Sequence, residues 1–318
     1  MVGSEHTVAA AYGTSTARAK RTRSTAAQMV AMDYFLRSIA EADSEQGRHP
    51  VTVRQVYYRA AARGLVTKDT KGRGYKKVVR HLGAMRESGE LPWSWIADNA
   101  RARRQLTQHA GLLDALHTMQ QTYRRDYWAA QPLRVEVWVE SDAIASALGQ
   151  TILPYGVPIF TCRGQASKTY IRAAVDDSLA IAKPIHILYA GDWDPTGLAI
   201  DRSLDERYGR YSDNADVTIT RVAVTPGQIR DYDLDGTAAK TGDPNYKRFL
   251  TICDQHGLLP VAIEAEALPP AVLRQAVAEG IESLIDPEAW RAVIGYEHAE
   301  VEQLKALVGA VDRGEHLS

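Results

Sequence analysis

Residues 184–197 read Pro-Ile-His-Ile-Leu-Tyr-Ala-Gly-Asp-Trp-Asp-Pro-Thr-Gly. The apolar start of this stretch predicts a buried strand, and the proline behind Asp194 predicts a helix with that aspartate as its N-cap. Gly191 and Gly197 permit a tight turn and a close approach of the backbone to a ligand. Asp192 has no such local role, and two carboxylates crowded at a strand end repel each other unless a cation lies between them. The stretch therefore predicts a strand, a cation-binding turn and a helix; a purely structural turn is the alternative.

The alternation of strands and helices continues through the second half of the chain. Residues 134–140, 157–162 and 216–224 have the composition of strands, and helical segments lie between and after them. Repeated strand–helix units predict a parallel sheet that is covered by helices on both faces. We therefore predict an α/β fold with a mostly parallel sheet over residues 131–285. A helical tail over residues 286–318 either supports a dimer or packs on its own sheet.

Acidic side chains follow two of these strands at their carboxyl ends. Glu140 ends the first strand, and Asp192 and Asp194 follow the strand quoted above. Loops at the carboxyl ends of such sheets form the binding site, so we expect the three side chains to hold one hard cation, Mg²⁺ or alternatively Mn²⁺. The two cysteines and nine histidines have no zinc-binding spacing. Farther along, the alternation of residues 261–270 predicts a strand with Glu264 and Glu266 on one face, at a solvated edge; a second cation site is the alternative.

The first half of the chain is basic and the second half is acidic. Residues 1–130 carry a balance of +10, whereas residues 131–318 carry a balance of −11. A basic half indicates a polyanionic partner such as double-stranded DNA. Within it, we predict a disordered basic arm over residues 1–25 and a helical DNA-binding domain over residues 26–130.

Three helices and the short segment Leu91–Ile96 give this domain the outline of a winged helix. The first helix is predicted over residues 26–42. The second is predicted to begin after Thr52, which would be its N-cap, and the third is predicted over residues 75–87, ending before Gly89. The third has an apolar stripe and a basic face, which a winged helix would lay along a DNA groove; a solvated charged face is the alternative. The stripe consists of Val78, Val79, Leu82 and Met85, and the predicted DNA-binding residues are Arg73, Lys76, Lys77 and Arg80, with Lys168 and Arg172 from the second half.

Arg54 and Tyr58 stand four residues apart and therefore share a face of the second helix. A guanidinium can bind a phosphate through two hydrogen bonds while a phenol beside it attacks the phosphorus. An ordinary phenol titrates near pH ~10, so it needs a nearby positive charge or base to act as a nucleophile. The pair is the candidate catalytic centre, with a packing role for Tyr58 as the alternative.

The Gly-Asp-Trp-Asp-Pro-Thr-Gly turn with the upstream Glu140 resembles the Toprim domain of topoisomerases, primases and related nucleases. A basic winged helix followed by such a domain resembles the A subunit of DNA topoisomerase VI and the related meiotic double-strand-break transesterase, over about residues 50–210. The resemblance implies that Tyr58 forms a 5′-phosphotyrosyl bond, that Arg54 binds the phosphate, and that Glu140 and the two aspartates hold Mg²⁺. It also implies a homodimer in which one subunit's tyrosine meets the other's metal, and a separate ATPase subunit for strand passage.

Two further functions remain open at this point. A Toprim nuclease would use activated water, with Tyr58 as a structural residue, and a DNA-binding subunit would be inactive without its ATPase partner. The scarcity of cysteine suits a reducing cytoplasm, and no apolar run approaches the roughly 18 residues needed to span a bilayer. We therefore expect a cytoplasmic, nucleoid-associated protein with no membrane segment.

Overall fold

The computed structural model describes residues 25–68, 72–97, 108–162, 168–181, 183–211 and 216–313. The predicted basic arm lies outside the described residues except for Thr25. Helices and strands alternate along the chain and the main sheet is parallel, so the fold is α/β, as predicted.

The N-terminal helices begin and end close to the predicted positions. α1 spans Ala26–Asp43, α2 spans Val53–Ala62 and α3 spans Arg73–Ser88. Thr52 caps α2, because its hydroxyl accepts a hydrogen bond from the Gln55 N–H while the Gln55 side chain accepts one from the Thr52 N–H. Gly89 ends α3 in the left-handed conformation, with φ of 81°. Local sequence alone thus defines the start of α2 and the end of α3.

The buried face of α3 differs from the predicted stripe at one residue. Val78, Leu82 and Met85 are buried, but Val79 is 42% exposed, so its assignment to the core was wrong. Each residue advances about 100° around a helix, and this step carries Val79 past the edge of the buried face. His81 lies at the opposite edge and is buried there, with its Nδ1 2.6 Å from an Asp33 carboxylate oxygen.

A short pair of strands completes the N-terminal half. β1 (Val51–Thr52) pairs in parallel with β2 (Ile96–Ala97), which follows a 3₁₀ turn at Trp93–Trp95. α4 (Leu112–Thr122) then leads towards the second half of the chain. Trp128 packs in the core of the second half, close to the predicted boundary at residue 130.

The second half is built on a four-stranded parallel sheet whose strand order is β4-β3-β5-β6. The strands are β3 (Arg134–Val139), β4 (Ile159–Thr161), β5 (Ile185–Ala190) and β6 (Val217–Ala223). The connecting helices are α5 (Asp142–Ile152), α6 (Lys168–Leu179) and α7 (Gly197–Tyr211). Strands 134–140, 184–190 and 216–224 were therefore predicted to within one or two residues at each end.

Side chains of β3 alternate between two cores, one on each face of the sheet. Its three valines pack on the face of α5, and Trp138 packs with α6 and α7 on the other face. Glu136 is fully buried on that second face, where its carboxylate accepts hydrogen bonds from Arg134 (2.7 Å), Trp138 (2.9 Å) and Tyr208 (3.0 Å). A buried carboxylate is tolerated only when it is paired in this way. Both faces of the sheet are covered, as predicted.

The remaining chain covers the sheet and returns to the N-terminal half. It consists of α8 (Pro226–Asp231), β7 (Thr237–Ala238), α9 (Tyr246–Gln255), β8 (Val261–Ala262), a 3₁₀ turn (Ala265–Ala267), α10 (Pro270–Glu282) and α11 (Pro287–Asp312). β7 and β8 pair as an antiparallel ribbon. The tail helix α11 packs within the chain, because Glu297 accepts hydrogen bonds from the Tyr127 hydroxyl and the Arg125 N–H, each at 2.8 Å. None of the described helices has the length and apolarity that a membrane crossing requires.

Candidate active site

The candidate site lies at the carboxyl edge of the parallel sheet, where the strand order changes direction. From β3 the chain moves outward to β4, then crosses back to β5 on the other side of β3. Connections leave β3 and β5 in opposite directions at such a switch point, and a crevice opens between them. Glu140 directly follows β3, and Asp192 and Asp194 follow β5. The sheet thus brings the three predicted carboxylates to the same edge.

A backbone N–H group donates to one oxygen of each of the three carboxylates. Glu140 Oε2 accepts the N–H of Asp192 at 2.9 Å, and Asp192 Oδ1 accepts the N–H of Ala265 at 2.8 Å. Asp194 Oδ1 accepts the N–H of Gly197 at 2.6 Å and so caps the start of α7, as its position before a proline predicts. Within the described part of the chain, the second oxygen of each aspartate accepts no hydrogen bond. These two oxygens are available to a ligand.

Burial and mutual repulsion make the charged state of these carboxylates unfavourable. Burial raises the pKa of Asp192 to about 8, and the charges of Glu140, Glu264 and Asp194 add to the rise. Burial also raises the pKa of Glu140, with Asp194 contributing, although the Asp192 N–H and Arg221 act in the opposite direction. A divalent cation would relieve this repulsion, because it favours the ionised form of each carboxylate.

A pocket of about 180 Å³ opens beside the two aspartates. Asp192, Asp194 and Glu264 line it, together with Lys240, whereas Glu140 is not among its lining residues. Its volume is many times the ~10–15 Å³ that one water molecule requires, so a hydrated cation fits. The oxygen donors suit Mg²⁺ or Mn²⁺. Among the described residues, however, no three His, Cys, Asp or Glu side chains are already gathered as metal ligands. Binding would therefore require side-chain rotation.

Arg221 on β6 holds the turn that carries the aspartates. One guanidinium nitrogen donates to the carbonyls of Gly191 (3.0 Å) and Asp192 (3.2 Å), and the other donates to the carbonyl of Gly197 (2.8 Å). The turn is also close-packed: a Cβ on Gly197 would lie 2.3 Å from the Asp192 carbonyl oxygen. Arg221 was not among the residues predicted for the site. An arginine among the apolar and threonine residues of a half-buried edge strand was the available signal.

Replacing Arg221 with methionine is expected to destabilise the protein by roughly 2–4 kcal/mol. The substitution retains much of the aliphatic chain but removes the guanidinium hydrogen bonds to the part-buried carbonyls of Asp192 and Gly197, and a hydrogen bond to a charged group contributes about 1.5–3 kcal/mol. Urea denaturation measures the free energy of unfolding. Arg202→Met is the control, because Arg202 is exposed on α7 and pairs with Glu206 one turn away. Equal stabilities of the two variants would contradict this role for Arg221.

Arg54 and Tyr58 share a face of α2, as predicted, and both contact the segment that leads into α10. Arg54 binds Glu264 with two nitrogens, one of them at 2.8 Å, and its Nε lies 3.0 Å from Glu266. The Tyr58 hydroxyl is hydrogen-bonded to Glu264. The Arg54 guanidinium is therefore occupied by carboxylates in this structure, whereas the sequence hypothesis left it free for a phosphate.

The surroundings of Tyr58 keep its hydroxyl protonated. Burial raises the pKa of Tyr58 well above its ordinary value and the Glu264 carboxylate raises it further, while Arg54 lowers it by less. The expected activation by a neighbouring guanidinium is therefore outweighed. Glu264 is a candidate base for the phenol proton, because it already accepts the hydrogen bond from Tyr58.

The expected solvated edge at Glu264 and Glu266 was wrong. The strand stops at Ala262 and a 3₁₀ turn follows, which directs both glutamates towards α2. Glu266 is only 5% exposed and accepts a hydrogen bond from the Thr52 hydroxyl at 3.2 Å. The alternation of the sequence indicated a longer strand than the two residues, Val261–Ala262, that form one.

The same turn links the tyrosine to the aspartates. Glu264 contacts Tyr58, and the next residue, Ala265, donates its N–H to Asp192. Tyr58 thus lies beside the carboxylates of its own chain. The resemblance implied that it meets the metal site of a second subunit, and this part of the expectation stays a prediction.

The predicted DNA-binding residues occupy different surroundings. Arg73, Lys76 and Arg80 are exposed on one side of α3, whereas Lys77 is half-buried, and burial together with Arg80 lowers its pKa. Arg172 is exposed on α6, where it pairs with Asp176 one turn away at 2.8 Å. The side chain of Lys168 lies outside the described residues. The exposed part of this set is concentrated on α3.

A scan against models of protein families and a search of curated proteins find no match to this chain.

Proposed function

We propose that this protein breaks DNA in a Mg²⁺-dependent reaction, with Tyr58 as the nucleophile and a 5′-phosphotyrosyl link as the product. The observation that carries the proposal is the chain of contacts from Tyr58 through Glu264 and Ala265 to Asp192. It joins a candidate nucleophile to carboxylates suited to a divalent cation. The order of a basic helical half and an α/β half, like that of topoisomerase VI A-like proteins, supports the same reading, with a winged helix and a Toprim domain as the two parts.

In the proposed reaction the Tyr58 oxygen attacks a backbone phosphorus, forming the new O–P bond as the bond from phosphorus to the 3′-oxygen breaks. The phenol proton passes to Glu264, and the departing 3′-oxygen takes a proton from water. Arg54 binds the phosphate after exchanging its carboxylate partners for it. Mg²⁺ bound near Asp192 would supply electrostatic stabilisation of the negative charge that develops on the phosphoryl oxygens.

Double-strand breakage requires two such sites, so the proposal includes a homodimer that acts on double-stranded DNA. Strand passage would require a separate ATPase subunit. The ATPase subunit is not needed for the first test, because joining a protein molecule to a DNA end does not require strand passage.

The test is to trap the protein on DNA. Supercoiled DNA is incubated with the protein and Mg²⁺, the reaction is stopped with detergent, and the DNA ends are examined before and after proteolysis. We expect protein attached to 5′ ends, and no attachment in EDTA. Cleavage with free ends, or no cleavage with Mg²⁺ or Mn²⁺, would contradict the proposal.

Hydrolysis by activated water is the second candidate. The raised pKa of Tyr58 favours it, because a phenol that stays protonated is a poor nucleophile. It predicts free DNA ends and a cleavage rate that survives loss of the Tyr58 hydroxyl.

Replacing Glu266 with glutamine is expected to raise DNA affinity in EDTA by about 2- to 5-fold. The change removes one of the two carboxylates that compete with a phosphate for Arg54, and a partly exposed ion pair contributes ~0.5–1 kcal/mol. Fluorescence anisotropy with a labelled duplex measures the affinity. Glu279→Gln makes the same charge change on the exposed face of α10 and is the control. An identical affinity gain in both variants would mean that bulk charge, and not Arg54, is responsible.

A further inference from the structure

Trp93 is the exposed tryptophan of this chain. Of the six tryptophans, all in the described residues, Trp93 is 62% exposed, and the other five are buried or half-buried. It lies between two anchored neighbours, because Leu91 and Ile96 are both buried in the N-terminal core. The Leu91 N–H also donates to the Met85 carbonyl at 3.0 Å. The indole is therefore presented to solvent by a fixed backbone.

Arg86 stacks on this indole. Its guanidinium carbon lies 4.2 Å from the centre of the Trp93 ring, which is a favourable cation–π distance. In the described part of the chain, no carboxylate lies within salt-bridge distance of Arg86, and its Nε is buried with no hydrogen-bond partner. A single exposed aromatic side chain is ordinary at a protein surface. An exposed indole with a stacked arginine, whose charge no described carboxylate neutralises, is suited to an anionic, aromatic ligand.

The helix that carries Arg86 favours a nucleic acid as that ligand. α3 contains five basic residues, Arg73, Lys76, Lys77, Arg80 and Arg86, and Glu87 as its only acidic residue. At about 100° per residue, Tyr75, Val79 and Arg86 fall within an arc of roughly 40°. Exposed apolar groups (Tyr75, 37%; Val79, 42%) thus run beside the basic face. Phosphates can bind that face while bases contact the apolar stripe.

The stripe begins at the candidate nucleophile. The Tyr75 ring packs edge-on against Tyr57 with centroids 5.6 Å apart, and Tyr57 contacts Tyr58 at 5.2 Å. From Tyr75 to Arg86 the axis of α3 rises by about 17 Å, which equals roughly five base-pair steps of duplex DNA. A duplex along α3 would therefore reach Trp93 about five base pairs from the phosphate at Tyr58.

We propose that Trp93, with Arg86 stacked on it, is a base-stacking contact that binds an unstacked base in bent or distorted duplex DNA. In intact B-form DNA every base is covered by its neighbours, so an indole reaches a base face only where the stack is opened. The inference deepens the proposed function by naming the conformation of its DNA partner, and its test does not depend on cleavage.

The test compares two labelled duplexes of about 30 base pairs in EDTA, one intact and one with a three-base bulge. Fluorescence anisotropy gives the affinity for each. We expect wild type to prefer the bulged duplex by about 10-fold or more, since stacking on an aromatic ring contributes ~1–3 kcal/mol per base. Trp93→Ala should lose this preference with less than a twofold change on the intact duplex, and Trp93→Phe should retain most of it. Arg86→Gln should reduce by about one the slope of the logarithm of the binding constant against the logarithm of the salt concentration.

Tyr296→Ala is the matched control. Tyr296 is 60% exposed on α11 and has Arg125 over its ring at 5.1 Å, so it reproduces the exposed aromatic–arginine pair at another site. It should bind both duplexes as wild type does. The proposal is overturned if wild type shows no preference for the bulge, or if a folded Trp93→Ala protein keeps that preference. If the preference depends on Trp93 but no covalent DNA complex ever forms, the proposed function fails and this inference stands.

Discussion

The Asp192→Asn variant is expected to cleave DNA at least 10²–10³-fold more slowly than wild type in Mg²⁺, because it loses a charged ligand at the point where transition-state charge is stabilised. The substitution is nearly isosteric. Its carbonyl oxygen can still accept the Ala265 N–H that Asp192 accepts at 2.8 Å. A loss of activity in a folded protein would therefore report the missing charge and not a collapsed turn.

The same variant is expected to change how stability depends on pH. The pKa of Asp192 rises from 3.8 to about 8 on folding, chiefly because of burial. Below the unfolded value the group is neutral in both states. As the pH rises from about 4 to about 8, the unfolded chain releases this proton first, so the free energy of unfolding falls, on the order of a few kcal/mol. Above about pH 8 the penalty is complete and constant.

Metal-free wild type should therefore melt at a lower temperature at pH 8 than at pH 5, and Mg²⁺ should restore part of the difference at pH 8. Asp192→Asn should melt higher than wild type at pH 8 in EDTA and should respond little to Mg²⁺. Thermal unfolding in EDTA and in Mg²⁺ measures both effects. Asp205→Asn, an exposed change on α7, is the control and should behave as wild type in every condition. Undiminished cleavage by Asp192→Asn would refute the proposed site.

The Tyr58→Phe variant is expected to form no covalent DNA complex at all. Phenylalanine keeps the ring but removes the nucleophilic oxygen, together with the hydrogen bond to Glu264. Loss of one such hydrogen bond changes the free energy of unfolding by only about 1 kcal/mol, so the variant should fold. Detergent-stopped reactions with end-labelled DNA detect the complex as a band of reduced mobility that proteolysis removes.

Tyr57→Phe is the matched control for this experiment. Tyr57 is the preceding residue on α2, but its ring is 8% exposed and packs in the N-terminal core. It should form the covalent complex normally. Free DNA ends produced by Tyr58→Phe at the wild-type rate would favour hydrolysis, and a covalent complex that persists in this variant would require a different nucleophile.

Local sequence was sufficient to predict the elements that carry the site. Thr52 and Gly89 have short-range roles as caps, so the ends of their helices follow from neighbouring residues. The apolar run before Gly191 forms a buried strand in any parallel sheet, and Asp194 caps the helix behind it. Each of these features depends on contacts within a few residues, which is the range over which sequence patterns are informative.

Sequence alone determined an α/β chain with a basic first half, an acidic second half and three carboxylates at strand ends. Tertiary structure alone decided what neutralises Arg54, because Glu264 and Glu266 lie more than 200 residues away along the chain and meet it only after folding. The same holds for Arg221, whose strand position becomes meaningful once β6 lies beside β5. The physical reason is that ion pairing and desolvation depend on distance and burial in space, and a linear pattern records neither.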